Sequence, residues 1–325
     1  MSQKINQTLT IPDDLRGLRF DQALAKLLPD FSRTQIQSWI KNAEITSNQK
    51  PLKTRATVKG GEIISIQASV KEQPIFAAEA IALDIIYEDE VLLVINKPAG
   101  MVVHPAAGNY QHTLLNALIH HEPHLQTLPR AGIVHRLDKD TSGLLVVAKN
   151  ALAVKSLTKQ LKNHTMERIY QAIVLGVLIS GGTIDEPIGR HPINRLRMAV
   201  TDNNSKPAIT HYRVIERYRA YTRIKVQLET GRTHQIRVHM AHIHHTILGD
   251  QTYGRLQLPK GASAELIDML RQFKRQALHA TELSLIHPVT EQTITWHAPL
   301  PDDMKQLINV LQQDQQQKDK KKDFL

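Results

Sequence analysis

Apolar residues first recur at helical spacing at Phe20, Leu24, Leu27 and Leu28, and that spacing predicts a helix ended by Pro29 and Asp30. Ser32 is placed to cap a second helix that buries Ile36, Trp39 and Ile40. Ile45-Thr46 and Ile63–Ile66 read as short strands around a polar turn at Ser47–Lys50. Residues 15–72 therefore read as a small two-helix and hairpin module, preceded by a loose segment at 1–14 and followed by a linker at 73–82 with Pro74. From Leu83 the pattern changes. Ile85–Tyr87, Val91–Ile95, Gly143–Ala148, Tyr170–Val174, His211–Ile215, Thr222–Glu229 and Thr293–His297 look like strands. Thr113–His121, Ala151–Lys162, Thr233–His242 and Ala264–Gln272 look like helices between them. Irregularly spaced strands with long loops predict an α+β domain over 83–311. The last stretch, 312–325, is nearly devoid of apolar residues and is expected to be a disordered basic tail.

Composition narrows the chemistry. The 325 residues contain no cysteine, which excludes disulfides, thiolate metal sites and thiol nucleophiles, and suits the reducing cytoplasm. The net charge of +10 points to a polyanionic partner. The surplus is local: residues 16–66 hold nine basic against four acidic side chains, and residues 190–237 hold eleven against three. Aromatic residues are only 4%, too few for a multi-base stacking platform. No apolar run approaches the ~20 residues of a membrane span, and the polar N-terminus lacks a signal-peptide core. No Walker loop and no G-x-G-x-x-G after a strand suggests a nucleotide cofactor. His239, His242, His244 and His245 cluster with Asp250 nearby, but H-E-x-x-H is absent, so no metal is expected.

Two polar clusters are candidate sites. His135-Arg136-Leu137-Asp138-Lys139-Asp140-Thr141-Ser142-Gly143 lies in a loop entering an apolar strand. Functional groups favour such loops. The competing reading is a capped turn, with Asp and Ser satisfying backbone amides. The second cluster, Glu229 to His239, follows the alternation of Ile224, Val226 and Leu228. There Gly231 marks a turn, Thr233 is placed to cap a helix, and Arg232 and Arg237 fall near its start. They read either as anion-binding groups or as a solvated basic face.

The sequence HRLDKDTSGLLVVAK at 135–149 resembles the RluA/RluD group of RNA pseudouridine synthases. The likeness continues at INKPAGMVVHPAAGN (95–109), ERIYQAIVLG (167–176), LETGRTHQIRVHMAHI (228–243), GDQTYG (249–254) and RQALHA (275–280), and covers roughly residues 9–311. It implies a mixed, mainly antiparallel catalytic sheet flanked by helices and loops, with a small N-terminal S4 RNA-binding domain. Departures are mild: Asn48-Gln49 stands at a turn where Asn-Gly is usual, and Gln251 where Pro is frequent. By resemblance, Asp138 is the catalytic nucleophile, Tyr170 packs against the target base, and Arg237 pairs with the aspartate. Arg136 enters the RNA where the flipped uridine has left, Arg232 contacts the site or a phosphate, and Arg19, Arg33 and Lys41 of the S4-like module bind RNA. The implied partner is large-subunit (23S) ribosomal RNA or its precursor particle, at the stem-loop at the subunit interface. The implied protein is a cytoplasmic monomer with no cofactor and no membrane partner. Two alternatives stand beside this reading: a non-catalytic RNA-binding factor for ribosome assembly, and a histidine-based metallohydrolase.

Overall fold

The computed structural model describes residues 3–29, 31, 33–48, 50–70, 76–105 and 108–322, and the chain divides between Ile75 and Phe76 into two units, each with its own core. The first contains β1 (Gln3–Thr10), α1 (Phe20–Leu27), α2 (Arg33–Lys41), β2 (Ile45–Ser47), β3 (Lys50–Pro51) and β4 (Ile63–Val70). Its sheet runs β1-β4-β2-β3, entirely antiparallel. The helices bury Leu24, Ile36, Trp39 and Ile40 together with Ile64 and Ile66, as their spacing predicts. Ser32 and Gln49 fall outside the described residues, while Asn48 adopts the left-handed φ of 47° that this turn requires.

Two expectations fail here and in the tail. Residues 3–10 are not loose: they pair along β4 from Gln3↔Val70 to Thr10↔Ile63. Polar Gln7 interrupts the alternation of Ile5 and Leu9, so the strand is weakly marked. β4 supplies the open hydrogen-bonding edge that orders it. The polar tail is helical as far as Lys322, because it continues an amphipathic helix whose first turns bury Met304, Leu307 and Leu311. Asp314 is its anchor. It accepts from Arg219 Nε at 2.5 Å and, at 2.7 Å, from the backbone N–H of Ser263. Composition does not reveal a single buried carboxylate with two distant donors. Residues 323–325 lie outside the described residues.

The second unit contains, in order, β5 (Ile85–Glu88), β6 (Leu92–Lys97), α3 (Leu114–His121), β7 (Ser142–Ala148), α4 (Ala151–Lys162), β8 (Glu167–Leu175), β9 (Gly182–Asp185), β10 (Ile188–Arg190), β11 (Met198–Val200), β12 (Ile209–Arg217), β13 (Tyr221–Leu228), α5 (Gln235–His242), α6 (Ala264–Gln272), β14 (Leu278–Ile286), β15 (Thr293–His297) and α7 (Asp302–Lys322). The large sheet runs β5-β6-β7-β14-β8-β13-β12-β9, with β15 also on β14. Its pairings are antiparallel except β7 with β14, so the sheet is mixed and mainly antiparallel. β10 and β11 form a separate hairpin.

Both faces of the sheet are covered, which explains the unbroken apolar runs of β6 and β7. Leu93, Ile95, Leu145 and Val147 join the core beneath α3, while Leu92, Val94, Leu144 and Val146 join the one that takes in Leu157 of α4 and Trp296. The parallel contact is short, His279↔Ser142 and Ala280↔Gly143. Gly143 makes it possible: its φ is +113°, and a Cβ would stand 2.3 Å from the Ala280 carbonyl oxygen. The strands therefore meet just where the first polar cluster enters β7. Among the described residues, no helix is long and apolar enough to cross a membrane.

Candidate active site

The loop before β7 is fixed from below by backbone-directed bonds. Lys97, fully buried at the end of β6, donates through Nζ to the carbonyls of Pro98 (2.7 Å), Met101 (3.0 Å) and Lys139 (3.1 Å). Burial pulls its pKa down to about 7, against the opposing pull of Asp140 and Asp138. The Gly100 N–H also donates to Lys139 O, and the Thr141 N–H closes a turn on Asp138 O. Gln276 Nε2 donates to Thr141 Oγ1 at 3.1 Å, and Ser142 Oγ lies 2.8 Å from His279 Nδ1. His135 accepts from the Val146 N–H at 3.1 Å, and burial lowers its pKa to about 3, so it is a neutral structural group. The cluster is a turn, but not one capped by its Asp and Ser side chains: Thr141 N–H closes on the Asp138 carbonyl, Ser142 Oγ pairs with His279, and the Asp138 carboxylate is left to meet Arg237.

Arg237, in α5, meets Asp138. Its Nη1 donates to Asp138 Oδ2 at 3.0 Å, while Nε and Nη2 grip Asp250 at 2.7 and 2.9 Å. Asp250 is fully buried and also accepts from the N–H groups of Thr252 and Tyr253. Burial alone would raise its pKa; the Arg237 bonds and charge outweigh that and hold it below the ordinary carboxylate range. Burial likewise opposes the Arg237 charge, but Asp250 and Asp138 together keep its pKa above the ordinary value. The guanidinium also stacks 5.1 Å over the Tyr253 ring. One cation thus bridges two carboxylates, buried Asp250 and Asp138, whose side chain is 15% exposed at the site surface.

The helix start differs from expectation. Thr233 is not the cap. α5 begins at Gln235, preceded by His234 in the left-handed region at φ 57°. The Gln235 side chain instead ties the turn, accepting from Thr230 Oγ1 and the Arg232 N–H and donating to Ile209 O. His234 lies 3.9 Å from Asp138 Oδ1 and 2.8 Å from the Tyr253 hydroxyl, and burial lowers its pKa. Non-glycine residues held at positive φ collect at functional sites.

Asp138, His234, Gln235 and Arg237 line a cavity of about 740 Å³, within the size range of small-molecule sites. Tyr170 stands on its floor, 5% exposed, in β8 between Val226 and Ala280 of the flanking strands. Burial raises its pKa. Leu228, Leu278 and Ile133 supply apolar wall. Exposed Arg136 and half-buried Arg232 lie on the cavity lining, Arg232 held by Nε on Pro207 O at 2.9 Å. The structure thus brings together Asp138, Tyr170, Arg237, Arg136 and Arg232. In the first unit, Arg19 and Arg33 converge on buried Asp21 at 3.0 and 2.8 Å, with side chains 37% and 42% exposed, and Lys41 is exposed. The sequence reading missed Asp250, Tyr253, His234 and Arg168 as parts of this site. GDQTYG and HQIR carried the signal, but only the fold makes them neighbours. Of the clustered histidines, His239 bonds Thr210 and the Glu186 carbonyl, and His245 bonds the Leu175 carbonyl. Among the described residues no such group is arranged to hold a metal.

Residues 91–242 match the family model for RNA pseudouridylate synthase. The ribosomal large subunit pseudouridine synthase D of Yersinia pestis is 51% identical over 316 residues, 97% of either chain. The protein of that name from Escherichia coli strain K12 is 50% identical with the same coverage, and that from Pseudomonas aeruginosa is 50% identical over 97% of this chain and 99% of its own. Among solved structures, human RNA pseudouridylate synthase domain containing 4 is similar with a TM-score of 0.55 and 25% identity, over 70% of this chain and 92% of its own. The corresponding figures for human domain containing 1 are 0.54, 25%, 72% and 96%.

Proposed function

Because the chain belongs to the RluA/RluD family of RNA pseudouridine synthases, we propose that it isomerises uridines of large-subunit ribosomal RNA with Asp138 as nucleophile, at the stem-loop at the subunit interface. The observation that carries this reading is the Asp138 carboxylate, held by buried Arg237 and lining, with Tyr170, a cavity of about 740 Å³. Uridine and pseudouridine are isomers. The N1–C1′ bond breaks, a C5–C1′ bond forms, a proton leaves C5 and N1 gains one. Electrons balance within the substrate, so the chemistry needs no redox cofactor. A uracil inside an RNA fold must be flipped out to reach Asp138, at an unstacking cost of a few kcal/mol. Arg136 is exposed at the cavity and suited to fill the gap, since guanidinium planes stack on bases. Tyr170 offers its ring face to the flipped base. The protein works as a cytoplasmic monomer on naked or particle-bound ribosomal RNA.

Pseudouridine mapping of total ribosomal RNA tests this reading. Cells lacking the chain should lose sites in the interface stem-loop, and the wild-type chain should restore them. A map that the deletion leaves unchanged refutes the assignment.

The first unit supplies affinity rather than chemistry. Without residues 1–75, RNA binding should weaken and log Kd should depend less steeply on log salt, by about 0.7 to 0.9 for each phosphate that is no longer neutralised. The rate at saturating RNA should stay within about threefold, since every residue of the cavity lies beyond residue 75. An unchanged salt slope would contradict this.

A further inference from the structure

We propose that Arg168 stabilises the negative charge that the uracil ring carries while it is detached from the ribose. The inference rests on the reading of the cavity as the uridine site. Arg168 and Tyr170 are two residues apart on β8, which puts them on one face of the strand, and both line the cavity that holds Asp138. Arg168 is only 6% exposed. Among the described residues it has no carboxylate partner. Its one hydrogen bond runs from Nη2 to Glu229 O at a long 3.3 Å, and buried Nε has none. Gly231 leaves it room, since a Cβ there would stand 2.6 Å from Nη1.

A buried cation without a counter-charge is costly, and burial does pull the Arg168 pKa down. Arg237 shows how this chain neutralises a buried guanidinium from within, with two carboxylates. Arg168 lacks such partners, so its counter-charge has to come from what enters the cavity. A phosphate is the poorer candidate. The RNA backbone is accessible to exposed Arg136 and half-buried Arg232, whereas Arg168 is buried beside the tyrosine that faces the base.

The reaction itself produces an anion there. When N1–C1′ breaks, the bonding pair leaves with N1 and spreads over O2 and O4 of the ring, and the Asp138 carboxylate supplies the pair that the sugar loses. When C5–C1′ forms, the ring gives a pair back to the sugar, the carboxylate is released, C5 gives up its proton and N1 takes one. The uracil is therefore anionic only between the two bond changes. A fixed guanidinium stabilises that interval without exchanging a proton, as other preorganised donors do for oxyanions.

The test compares Arg168→Met with wild type in single turnovers at saturating enzyme. The substrates are large-subunit ribosomal RNA transcripts carrying either uridine or 5-fluorouridine. Fluorine withdraws charge from the ring and makes it a better leaving group; because it also leaves C5 without a proton to lose, the rate read on both substrates is N1–C1′ bond cleavage, followed as loss of the starting nucleoside from nuclease digests. The variant should react about 10²- to 10³-fold more slowly on uridine. Its loss on 5-fluorouridine should be at least tenfold smaller, and its Kd for RNA should stay within about threefold of wild type. Arg168→Lys, which keeps the charge, should recover part of the rate. Equal losses on both substrates would overturn the proposal in favour of a structural role. A weakened Kd with an unchanged saturated rate would overturn it in favour of a phosphate contact. If Asp138→Asn stays active, the reading of the cavity has failed; if only Arg168→Met stays active, the failure belongs to this proposal.

Discussion

Replacing Asp138 with asparagine should abolish isomerisation, by about 10⁴-fold or more, while RNA binding is retained or slightly tightened. The substitution keeps shape and removes only charge. The new side-chain amide would still offer one oxygen to Arg237 Nη1, and Arg237 would remain gripped at 2.7 and 2.9 Å by Asp250, so the fold has little reason to change. The neutral amide, however, has no electron pair basic enough to attack at neutral pH. A negative charge facing a polyanion opposes binding, so its loss cannot weaken the encounter electrostatically. The measurement is tritium release from RNA labelled at uridine C5, alongside a filter-binding Kd. Wild-type release by the variant would remove Asp138 from the chemistry. Abolished release together with abolished binding would make Asp138 a binding or structural residue instead.

How far the site could be read in advance depended on the range of the interactions. Helical spacing placed α1, α2, α4 and α6 because amphipathicity is local, and apolar runs placed β6, β7 and β8 because both sheet faces are buried. β14 went unread although RQALHA marked its entrance. Its sequence mixes His279, Thr281, Glu282 and Ser284 with apolar residues, and it is a strand because β7, β8 and β15 all pair with it. Within the site, Asp138 and Tyr170 each lie in a contiguous motif, one in the loop before β7 and one in β8, that can be read without the fold. Asp250 cannot be read that way, because its role depends on a loop closing on α5 from thirteen residues away. The tail helix failed for the same reason. Buried Asp314 is meaningful only beside Arg219, 95 positions earlier.

Removing Arg237 should damage both stability and catalysis, and the stability loss should depend on pH in a defined direction. Arg237→Met leaves Asp250 fully buried with two backbone donors but no cation, and a broken buried pair of this kind costs about 3–5 kcal/mol. In the wild type, Asp250 titrates below its ordinary range despite burial, because Arg237 outweighs desolvation. Its contribution is therefore present above the unfolded pKa of about 4 and is lost as pH falls through the folded value. In the variant, burial acts without the guanidinium, so the folded pKa rises. Asp250 then costs least below about pH 4 and most as pH rises through the folded value. The gap between the two proteins should be widest near pH 7 and should narrow steadily toward pH 4. Denaturant unfolding across that range measures it, and a gap that does not change with pH would rule out an orphaned carboxylate as its cause. Adding Asp250→Asn to Arg237→Met removes the orphan charge and should restore more than half of the lost stability. It should restore none of the isomerisation, because Asp138 still lacks the guanidinium that holds it at 3.0 Å. Recovery of stability without recovery of rate would separate the two tasks that Arg237 performs: neutralising Asp250 for the fold and presenting Asp138 for the reaction.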